Sequence, residues 1–165
     1  MVGSPISRAT IAESFGREIE DIFEAFDEHI AKPLGMQDFS THDGMYEPRS
    51  GFGGAQGRSV SNHPAYVFRM SARDMARFGY LFLRDGTWEG KRIISEKWIE
   101  MARSPGVNKG YGFMNWFLNK PYVNDDGERR QALPSAPPSV VTFRGAGSNI
   151  IYIDWENDLV VVVRW

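Results

Sequence analysis

The chain has 165 residues, 42% hydrophobic and 24% charged, with a net charge of -2. These are ordinary globular values, and the near-neutral balance gives no electrostatic reason to expect nucleic acid or an anionic membrane as partner. Zero cysteines exclude disulfides, thiolate metal sites and a cysteine nucleophile, without fixing a compartment.

No apolar run reaches the roughly 18 residues that span a bilayer. Met1-Val2-Gly3-Ser4-Pro5 lacks the basic and apolar regions of a secretory signal, so localisation is left open. Residues 1–10 read as a polar lead-in. A helix follows, because Ile19, Ile22, Phe23, Phe26 and Ile30 recur at three- and four-residue spacing, with acidic residues mostly opposite. Pro33 and Gly35 stop it. His29 near its end reads as a surface residue whose charge suits the helix dipole.

Residues 36–70 read as irregular. The loop Gly51-Phe52-Gly53-Gly54-Ala55-Gln56-Gly57 is not a dinucleotide fingerprint, since no strand precedes it and no helix opens at it. His63 on this segment reads as structural or surface. Ser71-Ala72-Arg73-Asp74 then forms a capping box, and Met75, Phe78, Leu81 and Phe82 make an apolar stripe that ends at Gly86. Ser95 caps a short helix from Glu96 to about Ala102, expected to bury Trp98 and Met101.

From Tyr111 the period changes to two. Tyr111, Phe113, Asn115 and Phe117 alternate with Gly112, Met114, Trp116 and Leu118, which predicts a strand apolar on both faces. Asn124-Asp125-Asp126-Gly127 is a turn. Ser139 to Phe143 begins a further strand, Gly145 and Gly147 turn a corner, and an alternating strand runs to Asp154. The run Leu159-Val160-Val161-Val162-Val163 completes a hairpin and is expected to be buried on both faces.

Helices in the first two thirds and antiparallel strands in the last third predict an α+β fold. Residues 11–104 form its mainly helical part and 111–165 its strands, within one domain spanning 1–165. A strand as apolar as the final one needs cover, which predicts that either the earlier helices supply it or part of the protein is absent.

The sequence has no Gly-x-Ser-x-Gly elbow, no His-Glu-x-x-His, no phosphate loop and no calcium loop. His29, His42 and His63 are not spaced as ligands on one face, so no metal or other cofactor is expected; His42 beside Asp43 is the nearest approach to a metal pair. No serine stands three residues before Lys32, Lys91, Lys97, Lys109 or Lys120.

Several segments nevertheless carry a resemblance in a consistent order. Ile30-Ala31-Lys32-Pro33-Leu34-Gly35-Met36 resembles the helix end of the penicillin-recognising serine hydrolases, the group of class C β-lactamases, D,D-peptidases and related esterases. Ser71-Ala72-Arg73-Asp74-Met75-Ala76-Arg77-Phe78 resembles a later helix of that family. Gly90-Lys91-Arg92-Ile93-Ile94-Ser95 and Tyr111-Gly112-Phe113-Met114-Asn115-Trp116 are similar to the segments that follow. Phe143-Arg144-Gly145-Ala146-Gly147-Ser148-Asn149, with Asp158-Leu159-Val160-Val161-Val162, resembles the active-site strand and its neighbour. The matches cover nearly all of residues 22–165.

The resemblance implies a partial β-lactamase-like fold, unrelated to serpins, whose N-terminal nucleophile segment is missing. The family's chemistry needs a Ser-x-x-Lys, a Tyr-x-Asn or Tyr-x-Ser loop, and a strand lying against the substrate. Only the last is found, as Phe143-Arg144-Gly145. Tyr122-Val123-Asn124 spells the second but stands in the wrong order and reads as a turn. By the same resemblance the Ala146 backbone N–H completes an oxyanion hole, with Phe143, Arg144, Gly145 and Gly147 lining the substrate. Phe143 stands where many relatives carry Lys or His, which points from carboxylate recognition towards ester or amide substrates. Alternation puts Phe143 and Arg144 on opposite faces, so only one of them can line the site. The same glycines read without the resemblance merely turn a strand corner.

The expected function is thus that of a fragment of a β-lactamase-related serine hydrolase acting by acyl transfer, inactive alone for want of a nucleophile. A non-catalytic binding module with an aromatic groove around Tyr111, Trp116 and Phe143 is the alternative. A self-contained hydrolase using Ser148 with His63 is a third. The partners expected are a small ester or amide in the full-length protein, the missing N-terminal segment, or a second copy meeting this one along exposed sheet edges.

Overall fold

The computed structural model describes residues 22–47, 65–105, 110–117, 119–131 and 133–164. The fold is α+β, with short helices and small antiparallel sheets, and it divides into two compact units, Met1–Ser71 and Ala72–Trp165.

In the first unit, helix α1 (Ile22–Phe26) runs on into a π-helical turn, Asp27–Ala31. Of the apolar face predicted for it, Phe23 is buried and Ile22, Phe26 and Ile30 are half-buried, while Ala25, Ala31 and Leu34, outside that stripe, are buried as well. Its packing is mostly aromatic, with the Phe68 ring 5.0 Å from Phe23 and 4.9 Å from Phe26, and Phe39 5.0 Å from Phe26. The predicted stop is a Schellman cap. Gly35, at φ +62°, donates to the Lys32 carbonyl at 3.0 Å, and Met36 N–H donates to the Ala31 carbonyl at 2.9 Å. The Lys32 ammonium lies 2.7 Å from Asp27, whose hydrogen bond pushes the lysine above its ordinary range. Ile19 lies outside the described residues.

The segment expected to be irregular is partly ordered. Ser40 Oγ accepts from His42 N–H at 3.2 Å and caps a 3₁₀ turn, Thr41–Asp43. Strand β1 (Met45–Glu47) then pairs antiparallel with β2 (Ala65–Val67). Three-residue strands carry too little alternation to be seen in a sequence. The glycine loop at 51–57 and His63 lie outside the described residues.

The second unit is built on helix α2 (Ala72–Leu83), which buries Asp74, Met75, Gly79, Leu81, Phe82 and Leu83. Asp74 is fully buried, its carboxylate 3.1 Å from Arg77 Nη1. The helix ends in a second Schellman cap. Asp85 N–H donates to the Phe82 carbonyl at 3.0 Å and Gly86 N–H to the Leu81 carbonyl at 2.9 Å, with Asp85 at φ +50° and Gly86 at φ +81°. A tight hairpin follows, β3 (Thr87–Trp88) against β4 (Lys91–Arg92), turned by Glu89 and Gly90, both at positive φ.

Helix α3 (Glu96–Ala102) starts as predicted, with Ser95 Oγ accepting from Trp98 N–H at 3.3 Å. Its buried residues differ from the expectation. Ile99 and Ala102 are buried at 1% exposure, while Trp98 and Met101 are 39% and 40% exposed. Both pairs stand three residues apart, so helical spacing permits either. The deciding contact is tertiary: Asn115 Nδ2 donates to the Ala102 carbonyl at 2.7 Å and ties down that face.

Strands β5 (Tyr122–Val123) and β6 (Arg129–Arg130) form a hairpin around the predicted turn. Inside the loop it anchors, buried Asn119 accepts from Leu133 N–H at 2.8 Å and donates to the carbonyls of Ala136 and Pro137. The main sheet comprises β7 (Val141–Gly145), β8 (Asn149–Asp154) and β9 (Leu159–Val163), antiparallel in that order. Directly paired residues share a face. Phe143, Ile151 and Val160 therefore look one way, towards α2, where Phe143 packs 4.9 Å from Phe82 and 5.4 Å from Phe78. Thr142, Tyr152 and Val161 look the other way.

Two expectations for the strand region are corrected. Among the described residues β9 is an edge strand with its valines alternating in exposure, Val161 and Val163 each at 39%, because α2 packs on one face of the sheet. The predicted strand from Tyr111 is a tight turn. Met114 takes φ +64°, its N–H donates to the Gly112 carbonyl at 3.0 Å, and the pairing reduces to two isolated bridges. Alternation of side chains resembled a strand, but the backbone doubles back after three residues.

Candidate functional site

The site expected from the sequence lies along β7 and its corner, all within the second unit. Trp116 bridges to Thr142, with Trp116 N–H to the Thr142 carbonyl at 2.7 Å and Thr142 N–H to the Trp116 carbonyl at 2.9 Å. Thr142 thus spends both backbone groups on the outer edge of the sheet. In an antiparallel ladder the direction alternates, so Val141, Phe143 and Gly145 turn theirs towards β8, and Arg144 turns its N–H and C=O outward like Thr142.

Continuing the register would set Met114 opposite Arg144, but the reversal at Met114 carries the chain away. Among the described residues, the outer edge of β7 is therefore uncovered at Arg144. The next donor follows from peptide geometry. The Gly145 carbonyl points at β8, and in a trans peptide the N–H of Ala146 points oppositely, out of the same edge as the Arg144 groups. One carbonyl and two N–H groups thus line a short open strand edge.

The corner beyond it is a 3₁₀ turn, Ala146–Ser148, in which Gly147 is at φ +71° and Ser148 at φ +62°. Gly147 is required by its backbone conformation. Gly145 is not required by packing: a Cβ there would meet only the Asn149 Cβ at 3.7 Å, an ordinary contact.

The side chains separate. Arg144 is exposed, whereas Phe143 is half-buried against α2. Phe143 lies on the helix-covered face and Trp116, opposite Thr142, on the other, so the groove expected from Tyr111, Trp116 and Phe143 does not form as one surface. Tyr111 and Trp116 do meet, with ring centroids 4.7 Å apart, and the Tyr111 hydroxyl lies 3.5 Å from Met114 Sδ. Tyr122 has its backbone in β5, opposite Arg130.

Several serine hydroxyls are used structurally: Ser40 and Ser95 as helix caps, and Ser139 donating to Glu156 Oε1 at 2.7 Å. Ser148 stands exposed at the corner, and its suggested partner His63 lies outside the described residues. Among the described residues, no three His, Asp or Glu side chains come together as a metal site, and no helix is long and apolar enough to cross a membrane.

Sequence reasoning missed the buried polar residues that hold this region. Asp154, 2% exposed, accepts from Glu156 N–H, Asn157 N–H and Asn157 Nδ2 at 3.1, 3.1 and 2.8 Å, and from the Tyr152 hydroxyl at 3.3 Å. The signal was present as an Asp heading a polar turn. The Trp116–Thr142 bridge, which defines where the open edge begins, had no sequence signal. No family model matches the chain, and no curated protein matches it.

Proposed function

We propose that this chain carries the substrate-binding strand of a penicillin-recognising-type serine hydrolase, with a partial β-lactamase-like fold and acyl-transfer chemistry on esters or amides. The observation that carries the reading is the open edge of β7: the Arg144 backbone groups and the outward Ala146 N–H. An extended ester or amide can add to such an edge as a further strand. The Ala146 N–H then donates to the carbonyl oxygen that becomes negative during acyl transfer, which is half of an oxyanion hole. The chain has no Ser-x-x-Lys, so the bound acyl group meets no activated nucleophile. Binding without turnover is the consequence.

The test is an amide-resolved NMR titration of the full chain with an N-acyl dipeptide amide, alongside a chromogenic ester and a serine-reactive fluorophosphonate. The expected result is shifts at Arg144 and Ala146, loss of those shifts in Ala146→Pro, no hydrolysis and no covalent labelling. Labelling abolished by mutating a serine of this chain overturns the inactivity, and shifts confined to other surfaces overturn the strand-edge reading.

A second reading, a non-catalytic aromatic binding surface, is favoured by the Tyr111–Trp116 pair and by the exposure of Phe113 and Met114 beside it. It predicts quenching of Trp116 fluorescence by an aromatic ligand with the Arg144 and Ala146 amides unmoved.

A further inference from the structure

Phe143 and Arg144 leave β7 on opposite faces, and Phe143 is taken up by α2. Arg144 shares the other face with Thr142, Trp116 and Tyr152. Its side chain is exposed, and among the described residues the guanidinium has no carboxylate, carbonyl or ring partner. Arg77, Arg84, Arg103 and Arg130, by contrast, are each ion-paired to an Asp or Glu of this chain.

The backbone beside this cation fixes where a ligand side chain falls. Thr142 is already bonded to Trp116, so a strand added along the edge ends within one residue after the one facing Arg144. Arg144 turns both backbone groups outward, and in an antiparallel ladder a single ligand residue exchanges both bonds with it. The side chain of that residue stands directly opposite Arg144 and on the same face, with Cβ atoms about 5 Å apart. The ligand carbonyl that reaches the Ala146 N–H belongs to the group two places earlier.

We propose, given the strand-edge binding proposed above, that this edge selects acyl compounds with a carboxylate side chain on the second residue after the acyl group, held by the Arg144 guanidinium. A planar guanidinium takes a carboxylate through two parallel hydrogen bonds and has no matching grip on an uncharged amide. Trp116 lies one pair along on the same face, 39% exposed, where its ring can cover the methylene stem of a glutamate. A lysine at that position of the ligand would set two cations opposite each other.

The test is an amide-resolved NMR titration of the full chain, read at the Arg144 and Ala146 amides, with N-acetyl-Ala-Glu amide, N-acetyl-Ala-Gln amide and N-acetyl-Ala-Lys amide. The glutamate compound is expected to bind about fivefold tighter than the glutamine compound, the scale of an exposed charged pair, and the lysine compound more weakly than either. The preference should shrink in about 1 M salt, which screens exposed charges. Arg144→Gln should erase the difference between the glutamate and glutamine compounds, and Arg144→Glu should reverse the order in favour of lysine, with circular dichroism verifying that each variant is folded. Glutamate and glutamine compounds that move the Arg144 and Ala146 amides of the wild type with equal affinity overturn the carboxylate selection and leave the strand edge standing. A series in which none moves those amides overturns the strand edge, and the selection with it. A glutamate preference that survives in Arg144→Gln puts the carboxylate on another cation and overturns the role given to Arg144.

Discussion

Replacing Gly79 by Ala sets two opposing effects against each other inside one helix. In an isolated helix, Gly to Ala is favourable by about 1 kcal/mol. Here the added Cβ would stand 2.7 Å from Val160 Cγ1 and 2.8 Å from Ile151 Cγ2, closer than side-chain carbons approach. Both neighbours are β-branched and stiff about χ1, and both sit on paired strands, so they cannot swing away. Relief requires α2 to lift from the sheet by about 1 Å to restore ordinary carbon contact. That movement loosens Phe78 and Phe82 from Phe143. Overpacking costs about 1–3 kcal/mol, which exceeds the helical gain, so Gly79→Ala should destabilise the second unit by about 1–2 kcal/mol. For a unit of this size each kcal/mol moves Tm by about 4–8 °C. Thermal and urea unfolding followed by far-ultraviolet circular dichroism measures it. Adding Val160→Ala removes the nearest methyl groups, and a double-mutant cycle should then show a favourable coupling of about 1 kcal/mol. A Gly79→Ala protein as stable as the wild type, or more so, refutes the packing of α2 on β8 and β9 given above.

Asp154→Ala should cost about 2–3 kcal/mol in urea unfolding, because the N–H groups of Glu156 and Asn157 lose a buried acceptor; an unchanged midpoint would mean the turn holds without it. Asn119→Ala should cost about as much and speed hydrogen exchange at Leu133, whose N–H it orphans. The Tyr152 phenol is held above its ordinary range by burial first and by Asp154 second. Its folded value is raised, so its contribution is complete below the usual tyrosine value of about 10 and is lost as pH rises through the folded value. Tm should therefore fall across that alkaline window, in step with tyrosinate absorbance, and Tyr152→Phe should flatten the fall; identical alkaline limbs in the two proteins would count against this.

Local signals carried well wherever the backbone itself was the constraint. Gly35 stops the first helix because cap geometry needs positive φ there, the same place in the second cap falls to Asp85 with Gly86 after it, and Ser95 starts a helix because its hydroxyl meets an orphan N–H. The last hairpin was legible because alternating apolar residues and an Asp-headed turn specify it locally. The strand predicted from Tyr111 was a misreading with a clear cause. Side-chain alternation says nothing about a single residue, Met114, adopting left-handed backbone.

What the sequence determined by itself was the three helices with their ends, the closing hairpin, and the absence from this chain of a Ser-x-x-Lys. Only tertiary structure decided which surfaces remain open. Trp98 and Met101 lost burial to Ile99 and Ala102 through a hydrogen bond from Asn115, distant in sequence. Trp116 covers Thr142 and stops short of Arg144, and α2 covers one face of β9, which has no second strand neighbour among the described residues. These outcomes depend on which elements meet across long loops. Residue spacing along one segment carries no information about that meeting.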